Sequence, residues 1–273
     1  MANLPNNNFT TNTLSLHAGY EYDRQRTLSV PIYQSTAYSF ENAEQAAARF
    51  SLEELGNIYS RLTNPTVDML AKRIAAVEGG AFGVATASGS SAVFYSLVNL
   101  AQNGDNIAYS NKIYGGSQTL LVHVLKRFGI EGRVFDIDNL SSLEKIIDNK
   151  TKAIFFESLS NPQIAIADVE TITNIAKKHK IVTICDNTVA TPILFRPFDF
   201  GVDISVHSLT KYINGHGSGL GGAVIEREGL NELIKDNSRY PAFNTPDESY
   251  HGLIYANLPL PIFSIRILIE WLR

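Results

Sequence analysis

A single cysteine, Cys185, stands among 273 residues, so no internal disulfide can staple the chain. It lies in the apolar run Ile-Val-Thr-Ile-Cys (181–185), where a small buried hydrophobe is the expected role. There is no C-x-x-C and no H-E-x-x-H, and the 6 histidines show no ligand pairing; the common zinc patterns are therefore missing. The G-x-S-x-G elbow of one large hydrolase class is missing too. Neither sign of charge dominates, with 23 Lys and Arg against 27 Asp and Glu, which leaves no basic footprint for nucleic acid or anionic membrane. No apolar run approaches the roughly 20 residues of a membrane-spanning helix. The opening Met-Ala-Asn-Leu-Pro-Asn-Asn-Asn lacks the basic flank and apolar stretch of a signal peptide. These absences predict a cytoplasmic protein that uses neither metal, membrane nor nucleic acid.

What is present is an ordinary globular composition, 44% hydrophobic and 18% charged, on a chain long enough to bury a large core. From about residue 63, short β-branched runs alternate with helix-period segments, the pattern of an α/β domain on a mostly parallel sheet with helices on both faces. Seven strands are predicted: Val84–Thr86, Asn106–Ser110, Arg133–Asp136, Ala153–Glu157, Ile181–Cys185, Ile204–His207 and Ala223–Glu226. Between them, apolar residues at three- and four-residue spacing predict helices over Ser90–Leu100, Ser117–Phe128, Leu140–Asp148 and Val169–Lys178.

Residues 1–62 read differently: Asn- and Thr-rich, with Val30-Pro31 and one short helix candidate over Ala43–Phe50. Such a segment cannot form a core alone and is expected to be an arm against a neighbouring subunit, leaving 63–260 as the main domain. Residues 261–273 are crowded with Ile262, Phe263, Ile265, Ile267, Leu268, Ile269, Trp271 and Leu272 and stop without a cap. Either they begin a C-terminal small domain that the chain lacks, which is the expectation here, or they form a helix docked on the main domain.

Chemistry-bearing residues cluster in Val-His-Ser-Leu-Thr-Lys-Tyr-Ile-Asn-Gly-His-Gly (206–217), directly after a predicted strand. A lysine attacks an aldehyde only as the neutral amine, so Lys211 needs desolvation or a cationic neighbour. On its own it reads as a surface lysine, but Ser208 and Thr210 beside it add phosphate ligands. Glycines 217, 219 and 222 spell G-x-G-x-x-G, yet they lead into a strand instead of opening a helix, which rules out the dinucleotide fingerprint. Close backbone approach beside the lysine is the expected reason for them.

A second cradle candidate is Ala-Ser-Gly-Ser-Ser (87–91), where Ser88, Gly89 and Ser90 open a helix and either cap it or bind an anion, or do both. Asp186 closes an apolar strand and is either a turn residue or a carboxylate aimed at the ligand crevice, suited to a protonated pyridine nitrogen. Tyr59 and Arg61 suit a phosphate dianion or are an exposed loop pair. Tyr114 could stack on a flat ring or fill core.

Together these residues resemble the Cys/Met-metabolism family of pyridoxal-phosphate enzymes. The likeness rests on Tyr-Ser-Arg-Leu-Thr-Asn-Pro-Thr (59–66), Ala-Ser-Gly-Ser (87–90), Glu-Ser-Leu-Ser-Asn-Pro (157–162), Asp-Asn-Thr (186–188) and Ser-Leu-Thr-Lys-Tyr (208–212), in that order. The resemblance implies an aspartate-aminotransferase-like, fold type I domain. It implies that Lys211 carries pyridoxal 5'-phosphate as a Schiff base and that Asp186 pairs with the ring nitrogen. Asn161 would face the phenolic oxygen, with Tyr114 stacked on the ring and Thr188 nearby. Ser88, Gly89, Ser90, Ser208 and Thr210 would hold the phosphate, joined by Tyr59 and Arg61 from a neighbouring subunit of a homotetramer.

Gly-His-Gly (215–217), the stretch 243–252 and Gly116 resemble the branch that joins O-acetylhomoserine and sulfide, or another thiol donor, into homocysteine, with Lys211, Tyr114 and Asp186 catalytic. A methionine or cystathionine γ-lyase, or a cystathionine γ-synthase, is the alternative on the same scaffold. A non-catalytic relative acting as a binding partner is a further one. The residue that binds the substrate carboxylate is expected in a domain beyond the chain.

Overall fold

The computed structural model describes residues 9–272; residues 1–8, assigned above to the N-terminal arm, and Arg273, assigned to the start of a further domain, lie outside the described residues. Seven strands form one sheet: β1 (Phe82–Thr86), β2 (Asn106–Ser110), β3 (Glu131–Phe135), β4 (Thr151–Glu157), β5 (Val182–Asp186), β6 (Ile204–Ser208) and β7 (Gly222–Glu226). Their spatial order is β1-β7-β6-β5-β4-β2-β3. Only β7 runs antiparallel, to β1 on one side and β6 on the other, so the sheet is mostly parallel as expected.

Parallel strands are covered on both faces and read as continuous apolar runs; all of Thr151–Glu157 in β4 is buried. Alternate residues feed two cores. Ile107, Phe155, Ile184 and Val206 pack on one face with helix residues Ala92, Val93 and Leu97. Ala108, Ile154, Phe156 and Cys185 pack on the other with Leu143, Val169, Ile172 and Ala176. Each fully buried large aliphatic contributes about 1.5–3 kcal/mol. Cys185, at 0% exposure, is the buried small hydrophobe that its setting predicted.

In chain order the first helices are α1 (Thr11–His17), α2 (Ala43–Phe50), α3 (Pro65–Glu78), α4 (Gly89–Val98), α5 (Gly115–Thr119), α6 (Ser141–Ile146) and α7 (Val169–His179). Helix α3 is a helix that the periodicity reading passed over. Its start signals are local: Asn64 Oδ1 accepts from the Thr66 N–H at 3.0 Å, Pro65 sits in the first turn, and Gly79 closes the helix at φ 83°.

The single helix expected over Ser117–Phe128 is instead three pieces: α5, a π turn over Leu120–Val124 and a 3₁₀ turn over Leu125–Phe128. The β3 backbone presses on this stretch, since a Cβ on Gly132 would lie 2.7 Å from the Leu121 carbonyl oxygen.

In the N-terminal segment α1 docks on α3 through Leu14, Ala18 and Ala76, and the Arg73 Nε–H donates to the Ala18 carbonyl at 2.9 Å. The closing apolar stretch packs on the sheet's own core through Ile262, Phe263, Ile265, Ile267 and Ile269. Its anchor is Glu226, 2% exposed, whose Oε2 accepts from the Ser264 N–H at 2.9 Å and its hydroxyl at 2.8 Å.

Burial pushes the Glu226 carboxyl up to about 7 from an ordinary 4.5. The folded chain therefore holds a proton that the unfolded chain releases between those values. The resulting stability is fully present below about pH 4.5 and lost as pH rises through about 7. In urea titrations at pH 5 and pH 8, Glu226→Gln is expected to lose less stability than wild type across the interval, by roughly 3 kcal/mol. Parallel losses in the two proteins would contradict this assignment.

Candidate active site

In open α/β sheets ligands bind at the carboxyl ends of the strands, where the chain order reverses. Here β2 leads outward to β3, whereas β4 leads the other way to β5 and β6. The reversal lies between β2 and β4, and the residues singled out from the sequence are strung along that edge.

At the β1 end, Ser88 caps α4: its Oγ accepts from the Ser91 N–H at 3.1 Å. The amides of Gly89 and Ser90 belong to the first turn, where helical N–H groups have no intrahelical acceptor and favour an anion. Gly89 packs directly on β6. A Cβ there would lie 2.4 Å from Ser208 Cβ and 2.7 Å from its Cα. Gly222 pairs with Thr86 on one side and Ser208 on the other, and its own Cβ would meet the Ser88 carbonyl at 2.1 Å. Two glycines thus let the start of α4 and the turn after β6 come together.

That turn carries Thr210 and Lys211. The Thr210 hydroxyl bridges the Gly221 backbone, accepting from its N–H at 3.2 Å and donating to its carbonyl at 3.3 Å. Lys211 is exposed. The desolvation expected of it is not supplied by the described residues, because it sits on the loop beyond the strand and not at the strand's buried end. The glycine reading also needs correcting in part. Close approach holds for Gly222, whereas Gly217 has nothing within 4 Å and serves a left-handed backbone at φ 64°.

Asp186 is the last residue of β5. Its Oδ1 accepts from the Thr188 N–H at 3.0 Å, and Thr188 Oγ1 accepts from the Ser208 N–H at 2.8 Å. Thr188 thereby ties the Asp186 turn to the lysine turn. Burial pushes the Asp186 carboxyl above its ordinary range, against hydrogen bonds from Thr188 and the nearby His207.

Glu157, not singled out from the sequence, ends β4 in register with Asp186. Its Oε1 accepts from the Tyr114 N–H at 2.6 Å and its Oε2 from the Asn161 N–H at 3.0 Å. Burial, then the neighbouring Asp186, push Glu157 up to about 7. Tyr114 itself is 51% exposed, as a ring offered to a ligand would be and core filler would not; Asn161 is exposed as well. The buried Asp186 carboxyl, the first-turn amides of Gly89 and Ser90, the Ser208 and Thr210 hydroxyls and Lys211 are groups that a cationic ring nitrogen, an appended phosphate and an aldehyde could meet.

Behind this edge lies a second buried acid missed from the sequence. Glu78, the last residue of α3, is 0% exposed. Its Oε1 accepts from Asn187 Nδ2 at 3.1 Å and from the Ser205 hydroxyl at 2.6 Å, while Oε2 lies 3.1 Å from His207 Nε2.

Tyr59 and Arg61 are not brought to this edge. The Arg61 guanidinium lies over the Tyr59 ring at 5.1 Å on an exposed stretch. Among the described residues no hydrogen bond or ion pair joins either side chain to Lys211, Ser208 or Asp186.

Residues 12–250 match the family of Cys/Met metabolism PLP-dependent enzymes. The chain belongs to this family. Its cofactor is pyridoxal phosphate. The chain is 43% identical over 265 residues to the O-acetyl-L-homoserine sulfhydrylase of Corynebacterium glutamicum, covering 96% of this chain and 61% of that protein. A crystal structure from Campylobacter jejuni, assigned as an O-acetylhomoserine (thiol)-lyase and containing a pyridoxyl-lysine phosphate, superposes with a TM-score of 0.96 at 69% identity. That alignment covers 97% of this chain and 66% of the other. Cystathionine γ-lyase of Lactobacillus plantarum, solved with L-serine, gives a TM-score of 0.74 at 34% identity, over 82% of this chain and 57% of that one. The chain thus spans less than two thirds of the length of the relatives it matches, and the fold is that of the pyridoxal-phosphate type I enzymes.

The Gly89 contact is testable directly. In Gly89→Ala the added methyl meets Ser208 main-chain and Cβ atoms, not a flexible side-chain tip, so α4 must shift away from β6. Overpacking of this kind costs about 1–3 kcal/mol, to be read from the urea midpoint. An unchanged midpoint would mean that the contact is looser than described.

Proposed function

We propose that the protein catalyses a γ-replacement in which O-acetyl-L-homoserine and sulfide, or another thiol donor, give L-homocysteine and acetate. The observation that supports this reading is the packing of the α4 start against Ser208, which is three residues from Lys211 and joined through Thr188 to Asp186. The greater identity to the sulfhydrylase than to the cystathionine γ-lyase, 43% against 34%, supports this branch over a γ-lyase or a cystathionine γ-synthase.

Pyridoxal phosphate, when bound, supplies an electron sink for the carbon acids of the substrate. The N–H groups of Gly89 and Ser90, with the hydroxyls of Ser88, Ser208 and Thr210, would hold its phosphate. Asp186 Oδ2, left over by the Thr188 bond to Oδ1, would accept from the ring nitrogen and keep it protonated. Asn161 would meet the phenolic oxygen, with Thr188 behind it and the Tyr114 face against the ring.

Lys211 is the covalent anchor and the proton carrier. Once the substrate amine has displaced it, its free Nζ would take up the protons from Cα and Cβ and return them after acetate has left and sulfur has added. Tyr114 Oη assists as acetate leaves Cγ. Positioning accounts for much of such a rate, and the group that holds the substrate carboxylate is assigned to sequence beyond this chain.

Tyr59 and Arg61 are read as phosphate ligands for a second copy, in a homotetramer with shared sites. Their exposure supports this, as do Leu28 at 87% and Ile32 at 84% in the same segment. Residues 1–62 are read as an arm, 63–260 as the cofactor domain and 261–273, packed on the core of that domain, as the start of a further domain. The reading places the enzyme in the cytoplasm, in methionine biosynthesis.

Purified protein supplied with the cofactor is expected to show a visible absorption band that Lys211→Ala lacks. The full-length protein, given O-acetylhomoserine and sulfide, should release homocysteine. A main outcome of 2-oxobutyrate and ammonia would move the assignment to a γ-lyase. No band in wild type would end the enzyme reading.

A further inference from the structure

One carboxylate joins the two loops that border the crevice between β2 and β4. Glu157 Oε1 takes the Tyr114 amide and Oε2 the Asn161 amide, at 2.6 and 3.0 Å. The first loop follows β2, the other strand at the reversal, and the second follows β4 itself. Each oxygen therefore governs one wall of the crevice.

Little else fixes the Tyr114 ring. The residue precedes α5 without capping it, and its side chain is half in water. It folds back over Gly116, where a Cβ would lie 2.4 Å from Tyr114 Cε1. With the core not gripping the ring, its place is set through its backbone, whose N–H is held by Glu157 and whose carbonyl accepts from the Gln118 N–H at 3.0 Å.

A carboxylate at 6% exposure is a costly way to join two loops. An apolar side chain of similar size would leave both amides without an acceptor. Two backbone donors arriving from separate loops need two acceptor oxygens on one side chain, which only a carboxylate offers. Glutamine would present an NH₂ to one of the two N–H groups.

We propose that Glu157 is a positioning residue: by clasping the Tyr114 and Asn161 amides together it sets the tilt and spacing of the two side chains that border the cofactor ring. This rests on the cofactor assignment made above, so the test reads the clasp and the cofactor separately. Glu157→Gln breaks one of the two bonds and keeps the volume. Glu157→Asp keeps the charge but is one methylene too short to reach both amides.

Amide hydrogen exchange of the protein without cofactor, at pH 8, is expected to speed up by about tenfold in at least one of 111–118 and 159–166 in each variant, with melting temperature nearly unchanged. Titration with pyridoxal phosphate should show about tenfold weaker binding and a reduced circular dichroism of the bound chromophore. Unchanged exchange in both loops would overturn the clasp. Faster exchange with unaltered affinity and dichroism would make Glu157 merely structural and overturn the positioning role. A wild type that binds no pyridoxal phosphate would overturn the cofactor assignment and the role with it, whatever the variants do.

Discussion

A carboxylate removed wholly from water must be met by donors, and whatever supplies them is fixed in turn. Glu78 is met from two neighbouring strands at once, by Ser205 within β6 and by Asn187 just past β5, with His207 alongside. Asn187 passes the constraint on, since its Oδ1 accepts from the Ser158 hydroxyl at 2.7 Å. Asn187 adjoins Asp186 and Ser158 adjoins Glu157. The end of α3 therefore holds the edges of β4, β5 and β6 in mutual register from behind. Leaving one of these buried groups without its partner typically costs about 1–3 kcal/mol, more where it is charged.

All seven strands were legible in the sequence because strands covered on both faces must be apolar throughout, and β-branched runs bounded by Gly, Asp or Asn leave little else to choose. Helix α3 was not. Its opening Asn-Pro reads equally as a turn, and it packs through a stripe that includes Ala71, Ala75 and Ala76, residues too small to mark a face. The three buried glutamates were invisible for a different reason. Glu78, Glu157 and Glu226 look like surface residues in one dimension, and only the fold brings their donors, at 187 and 205, at 114 and 161, and at 264, within reach. The Ser-Asn-Pro run after Glu157 was the available hint.

Among the candidate site residues, those on the strand ends and on α4 were brought together, because strand ends and helix starts are where local sequence determines direction. Lys211 followed its strand but lies in the open, and Tyr59 and Arg61 stayed apart. Their exposure is what the proposed second copy would cover. The G-x-G-x-x-G run was rightly refused as a dinucleotide motif, yet its glycines serve two needs: contact at Gly222 and handedness at Gly217.

The antiparallel course of β7 has a consequence for how the chain folds. Because β7 turns straight back along β6, the loop carrying Lys211 is closed by neighbours in sequence and can form early. The cradle cannot. Its other wall hangs from β1, whose only partner strand among the described residues is β7, so Thr86 and Gly222 must meet from opposite ends of the domain. A nascent chain would own its lysine well before it owned the pocket beside it, and capture of a phosphate there would mark the closing of the sheet.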